Sequence, residues 1–221
     1  MAFVYVIDGD MGGGKTSFMS LMACYLSSVF PNLTVWSNYG LKGSRPFTSY
    51  KDFLEMASLD SSLVLLDEAY LTFDSRLFGS KGQIYFTELL YYLRKIRATI
   101  MFTAVDWETL DTRIRRVVDV YIFARKERGF HIYEFFHNKS GKLLKRVQIP
   151  VSRMQMILNH LDVYKTWKIV RPTELPDKDF HTFVEWLDMA NESYYAGQEN
   201  GGAPGGVLLG AAGQPPFQES C

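Results

Sequence analysis

Two short stretches of this chain carry residue types and spacings that can do chemistry. Gly9-Asp10-Met11-Gly12-Gly13-Gly14-Lys15-Thr16 fits G-x-x-x-x-G-K-[ST], the pattern of a loop that cradles phosphate. Its glycines let the backbone close on an anion with N–H groups pointing inward. A helix starting at the end of the loop adds its positive N-terminal dipole, so the cradle runs from Gly9 through Ser17. Lys15 is expected to reach the β- and γ-phosphates of ATP, and the Thr16 hydroxyl to ligate Mg²⁺. The second stretch is Leu63-Val64-Leu65-Leu66-Asp67-Glu68, four apolar residues ending in two carboxylates. Asp67 is expected to hold the Mg²⁺, and Glu68 to orient and deprotonate an attacking water. A bland reading exists for each stretch: a glycine-rich turn before a lysine, and a strand ending in a helix N-cap aspartate.

The flanks favour the chemical reading. Phe3 to Ile7 is an apolar, β-branched and aromatic run suited to a buried parallel strand. Ser17 to Val29 places Phe18, Leu21, Met22, Tyr25 and Leu26 at helical steps. Leu33–Ser37 and Ser62–Leu66 read as strands, Asn38 to Thr48 as a loop, and Tyr50 to Ala57 as a short helix. Ala69 to Ser80 reads as a loop, Gln83 to Arg97 as a helix of about 22 Å, and Ala98 to Ala104 as the next strand. Thr103, polar near the end of that apolar strand, either senses the γ-phosphate or its water, or is simply a β-former at a strand end. A short helix over Trp107 to Arg116 and a strand over Val117 to Ala124 follow. Phe130–His137 and Leu143–Ile149, joined by Asn138-Lys139-Ser140-Gly141-Lys142, form a hairpin signal. Met154 to Leu161 reads as helical, Thr166 to Pro176 as extended, and Lys178 to Tyr195 as a helix.

The pattern predicts an α/β fold with a central, mostly parallel sheet flanked by helices and a C-terminal β-hairpin. It divides into a P-loop domain over 1–150, a helical and extended extension over 151–195, and a Gly/Pro-rich disordered tail over 196–221. At 221 residues the chain can bury a full core. Its formal net charge is zero, which excludes a general electrostatic attraction to nucleic acid or acidic membrane and leaves only local patches. Basic residues gather at Arg94, Lys95 and Arg97, at Arg113, Arg115 and Arg116, and around the hairpin at Arg125, Lys126, Arg128, Lys139, Lys142, Lys145 and Arg146. Two cysteines, Cys24 and Cys221, form no framework. The four histidines lack metal spacing, so nucleotide Mg²⁺ is the one metal expected. No run approaches the ~18 apolar residues of a membrane span, and the chain enters a strand without a signal peptide, so a cytoplasmic protein is expected.

Taken together, the loop, the Leu63–Glu68 strand, the arginines before Ala98 and the Thr103 strand resemble the HerA/FtsK superfamily of P-loop ATPases, RecA-like in fold. The resemblance covers roughly Phe3 to Phe123. Two viral branches are similar: genome-packaging ATPases of icosahedral viruses with an internal membrane, and zonula occludens toxin-like assembly ATPases of filamentous phages. Asp67-Glu68-Ala69-Tyr70, Phe73, Arg76, Leu93-Arg94-Lys95, Thr103 and Asp111…Arg113-Ile114-Arg115 carry it. Members commonly have Gln after the strand threonine, where this chain has Ala104. Toxin-like members carry a transmembrane helix after the ATPase domain, and its absence here favours packaging.

The resemblance implies an ATP-hydrolysing, DNA-translocating motor with ATP and Mg²⁺. It implies a homo-oligomeric ring, expected as a hexamer, with Arg94 or Arg97 acting in trans on a neighbour's nucleotide. Double-stranded DNA would be held by its phosphates, and capsid or assembly-complex proteins would be partners. Membrane association would be indirect only, and the location the host cytoplasm or a virion vertex. The non-motor alternative is a small P-loop kinase or regulatory NTPase, to which a water-activating Glu68 is less suited.

Overall fold

A computed structural model describes residues 3–69, 81–161, 170, 173–174 and 179–199. Strand β1 (Val4–Gly9) leads through the glycine loop into helix α1 (Lys15–Val29). Then come β2 (Leu33–Ser37), the two-residue β3 (Arg45–Pro46), α2 (Asp52–Ala57) and β4 (Ser61–Leu66). Helix α3 (Lys81–Tyr92), β5 (Ala98–Thr103), a 3₁₀ turn (Trp107–Thr109) and α4 (Thr112–Val117) follow. The chain then builds β6 (Val120–Glu127), β7 (Phe130–His137), β8 (Leu143–Pro150), α5 (Val151–Leu161) and α6 (Phe180–Glu199).

The eight strands form one sheet in the order β3-β2-β4-β5-β1-β6-β7-β8. Pairing is parallel from β3 to β6 and antiparallel for β6–β7 and β7–β8. The central strands are apolar on both sides because helices cover both faces. In β4, Val64 and Leu66 pack with Phe53 of α2, Phe86 and Leu90 of α3 and Phe183 of α6. Leu63 and Leu65 face the other way, toward Phe18 and Met19 of α1 and Met154 of α5. The helices of the 151–195 extension thus contribute to both cores, one on each face. The carboxyl ends of β1, β4 and β5 converge beside the N-terminus of α1, the place where open parallel sheets bind ligands.

Three local differences from the sequence reading have physical causes. The helix expected to run to Arg97 ends at Tyr92. Arg97 takes φ +56°, and the Ala98 N–H returns to the Leu93 carbonyl at 2.9 Å, so a left-handed residue closes the turn into β5. The single helix expected over Trp107–Arg116 is two pieces, because Asp106 and Asp111 each cap a separate start, accepting from the N–H groups of Glu108 and Arg113. Arg128 and Gly129, both at positive φ, make a two-residue hairpin turn between β6 and β7. β6 and β7 are therefore neighbours paired over their whole length. The region 70–80, with Phe73, Arg76 and Phe78, lies outside the described residues, as do most of Thr166–Pro176 and all of 200–221.

Candidate active site

The glycine loop is shaped by what stands behind it. At Gly9, φ is +132° and an added Cβ would sit 1.9 Å from the Ala124 carbonyl oxygen of β6, so no other residue fits. At Gly14, φ is +88° and an added Cβ would meet His131 Nδ1 and Tyr133 Oη, each at 2.7 Å. Those two β7 side chains brace the loop: the His131 Nδ1–H donates to the Gly13 carbonyl at 2.9 Å and the Tyr133 hydroxyl to the Gly14 carbonyl at 3.1 Å. Tyr133 in turn stacks on Phe18 of α1 at 3.9 Å between ring centroids, tying hairpin, loop and helix together.

Lys15 folds over the loop, its Nζ donating to the carbonyls of Gly9 at 2.6 Å and Asp10 at 3.0 Å. Burial pushes its pKa down, against the pull of the Asp8, Asp67 and Asp10 carboxylates. The N–H of Gly13 closes onto the Asp10 carbonyl at 3.0 Å, and Met11, 87% exposed, stands at the tip beside exposed Gly12.

Asp67 is the centre of the polar network. The Thr16 hydroxyl donates to its two oxygens at 2.9 and 3.1 Å, and the Thr103 hydroxyl donates to Oδ1 at 2.7 Å. The same Thr103 oxygen accepts the Glu68 N–H at 2.9 Å. Asn38, at the end of β2, clamps the Asp67 backbone on both sides: its Nδ2 donates to the carbonyl at 3.0 Å and its Oδ1 accepts the N–H at 2.8 Å. Glu68 is exposed and held at φ +51°, a costly conformation for a side chain of its size and one that concentrates at functional sites. Burial first, and the Asp67 charge second, raise its pKa.

The donors around Asp67 fit Mg²⁺, a hard ion that takes oxygen ligands: one carboxylate and one threonine hydroxyl converge beside a loop built for phosphate. Thr103 sits where its strand end was expected. Its hydroxyl holds the Asp67 carboxylate and the Glu68 backbone N–H together.

No protein-family model and no curated protein matches this chain. Solved structures do. The N-terminal domain of zonular occludens toxin from Neisseria meningitidis is similar at 20% identity and a TM-score of 0.52, covering 75% of this chain and 100% of that one. The genome packaging NTPase B204 from Sulfolobus turreted icosahedral virus 2, in complex with AMPPCP, is similar at 12% identity and a TM-score of 0.50, covering 66% of this chain and 96% of that one. The ATPase domain of G40P is similar at 9% identity and a TM-score of 0.50 over 69% and 82%. The fold is that of a P-loop NTPase. That is the fold the sequence resemblance implies.

In this P-loop NTPase fold, a pocket of about 750 Å³ opens over Gly12, Gly14, Lys15, Thr16 and Ser17. One wall carries Asp67, Glu68 and Thr103; the opposite wall comes from β6, β7 and α5. His131, Tyr133, Asn38 and the α5 wall were not singled out from the sequence. The period-2 pattern of Phe130–His137 does put His131 and Tyr133 on one face, but only the β6–β7 pairing shows that this face meets the loop.

The arginines lie elsewhere. β5 separates Arg94 and Arg97 from Thr103, about 20 Å at a strand's rise per residue. Arg97 is tied down: its guanidinium donates to the carbonyls of Ala57 and Leu59 and to Asn191 Oδ1. It also lies over the Tyr194 ring, 3.6 Å from the centroid. Arg94 is 70% exposed and pairs with Asp119 at 3.2 Å. At this end of the sheet Arg94 shares a groove with Arg116 and Lys139, and exposed Lys142 stands at the β7–β8 turn. Lys145 and Arg146 lie further along β8, level with Ile7 and Asp8 of β1, Arg146 paired with Glu134.

Proposed function

We propose that this chain is an ATP-hydrolysing motor that moves viral double-stranded DNA into a capsid. The observation that carries the hydrolytic part is the Thr16–Asp67–Thr103–Glu68 network, held at the strand ends beside a complete phosphate loop. Lys15, now on the loop carbonyls, turns to the β- and γ-phosphates when they enter. Thr16 and Asp67 would hold Mg²⁺, which supplies charge neutralisation on the phosphates. Glu68 takes a proton from the attacking water; its raised pKa matches it to that work. Thr103 fixes the Asp67 carboxylate and the Glu68 backbone relative to each other.

The motor part rests on the resemblance and on charge placement. The exposed Arg94, Lys139 and Lys142 lie opposite the loop, where Arg94 would exchange Asp119 for a neighbouring subunit's nucleotide in a hexameric ring. Repeated around such a ring, Lys139, Lys142 and Lys145 would give a neutral chain a dense lining for DNA phosphates. Capsid proteins are the expected further partners, the membrane is met only through them, and the site of action is the host cytoplasm or a virion vertex. A second reading, filamentous-phage assembly, draws on the likeness that spans the entire zonular occludens toxin domain. A small kinase or regulatory NTPase fits less well, since a carboxylate beside Asp67 suits water as the acceptor.

The test is ATP hydrolysis by the full chain and by Lys15→Ala. Wild-type turnover with loss of both turnover and tight nucleotide binding in Lys15→Ala supports the reading. Equal binding and turnover in the two proteins contradicts it.

A further inference from the structure

The nucleotide pocket is polarised, and the polarity assigns its ends. Its lining acids, Asp67, Glu68 and Asp106, all follow β4 or β5, on one side of the loop. On the other side, at the end of β6, stands Lys126, exposed and without an ion pair among the described residues. It faces His131 directly across the β6–β7 ladder. Three strand spacings separate β4 from β6, about 14 Å. Beyond Lys126 the lining turns apolar: Val151, Met154 and Leu158 of α5, spaced three and four apart on one helix face, with Gln155 beside them. Met11 at the loop tip closes the same pocket.

We infer that α5 is the nucleobase wall of this site: the base lies against the half-buried Leu158 and Val151, which Met154 backs from the core, with Gln155 at its polar edge, and Lys126 takes the phosphate nearest the nucleoside. This rests on reading the glycine loop as a nucleotide site and adds which end holds the nucleoside, and by what. The chemistry is directional. A triphosphate tail needs Mg²⁺ and Lys15, and the acids that hold Mg²⁺ stand at one end only. A purine needs a flat apolar surface with one hydrogen-bonding group, and the exposed, polarisable Met11 at the loop tip suits its other face. Helix α5 packs on α1, so the wall is fixed to the helix that carries the phosphate site.

The test separates base from phosphate by using a ligand with no base. Affinities for Mg-ATP and for Mg-tripolyphosphate are measured by calorimetry on the full chain, on Leu158→Asp and on Gln155→Asp. Leu158 is half-buried and Gln155 exposed, so the second variant keeps the test sound should the first fold poorly. A carboxylate placed against the base should weaken ATP by at least about tenfold while tripolyphosphate affinity stays within about twofold. ATP affinity unchanged in both variants, or both ligands weakened alike, would overturn the assignment. A wild-type chain that binds neither ligand would instead bring down the nucleotide reading on which it stands.

Discussion

Glu68 shows how much a single position is asked to do. It is the second of the two carboxylates after β4, at positive φ, with its N–H donating to the Thr103 hydroxyl oxygen. That posture aims the carboxylate into the pocket and leaves it exposed. Replacing it with Gln should preserve ATP binding, because Asp67, Thr16 and Lys15 remain, and should stop turnover before hydrolysis. Nucleotide binding by calorimetry and phosphate release by a coupled assay check this; normal turnover would reduce Glu68 to a backbone role. Its raised pKa has a sign consequence for the wild type. The base works ionised, so the rate falls as pH drops through the folded-state value, and that acid limb lies above the ordinary glutamate value of 4.5. For stability the sign is opposite: folding favours the protonated form, so this group's favourable contribution is present at low pH and lost as pH rises through the same range.

At the scale of elements, β7 and the β5 entry turn are where packing serves the site. Tyr133→Phe removes one hydrogen bond to the Gly14 carbonyl and keeps the stack on Phe18. Unfolding in urea should show a loss of about 1 kcal/mol, with ATP affinity weakened because the loop loses a brace. The two arginines before β5 should separate cleanly. Arg97→Ala leaves the carbonyls of Ala57 and Leu59 without their donor and should destabilise by about 2 kcal/mol or more. Arg94→Ala, at an exposed ion pair, should change stability by less than about 1 kcal/mol. In an assembled ring Arg94→Ala should instead lower turnover about 10³-fold, the scale of a trans arginine. Partial recovery on mixing with Lys15→Ala subunits would show that the two act across an interface.

The same elements show what could be read in advance. The loop, the Leu63–Glu68 strand and α1 were legible because strand, turn and helix signals lie contiguous in sequence. Asn38 and His131 were not, because their roles exist only once β2 meets β4 and β7 meets β6. The early end of α3 was hidden for a similar reason: Arg97 is held left-handed beside a partner on α6, Asn191, 94 residues further on.

At the scale of the molecule, the sheet divides the work between its two ends. Phosphate loop, carboxylates and the proposed nucleobase wall gather at one end; Arg94, Arg116, Lys139 and Lys142 gather at the other. A formal charge of zero means that DNA can be gripped only where such clusters are multiplied by assembly. Two phosphate contacts per chain would suffice to place a ring in the salt-sensitive regime. The decisive measurement is the ATPase rate of the assembled wild-type protein titrated with double-stranded DNA at about 50 and 200 mM salt. A motor gives a rate that rises with DNA, saturates, and needs much more DNA at the higher salt. A rate indifferent to DNA at both salts would contradict translocation and leave an ATPase of another purpose.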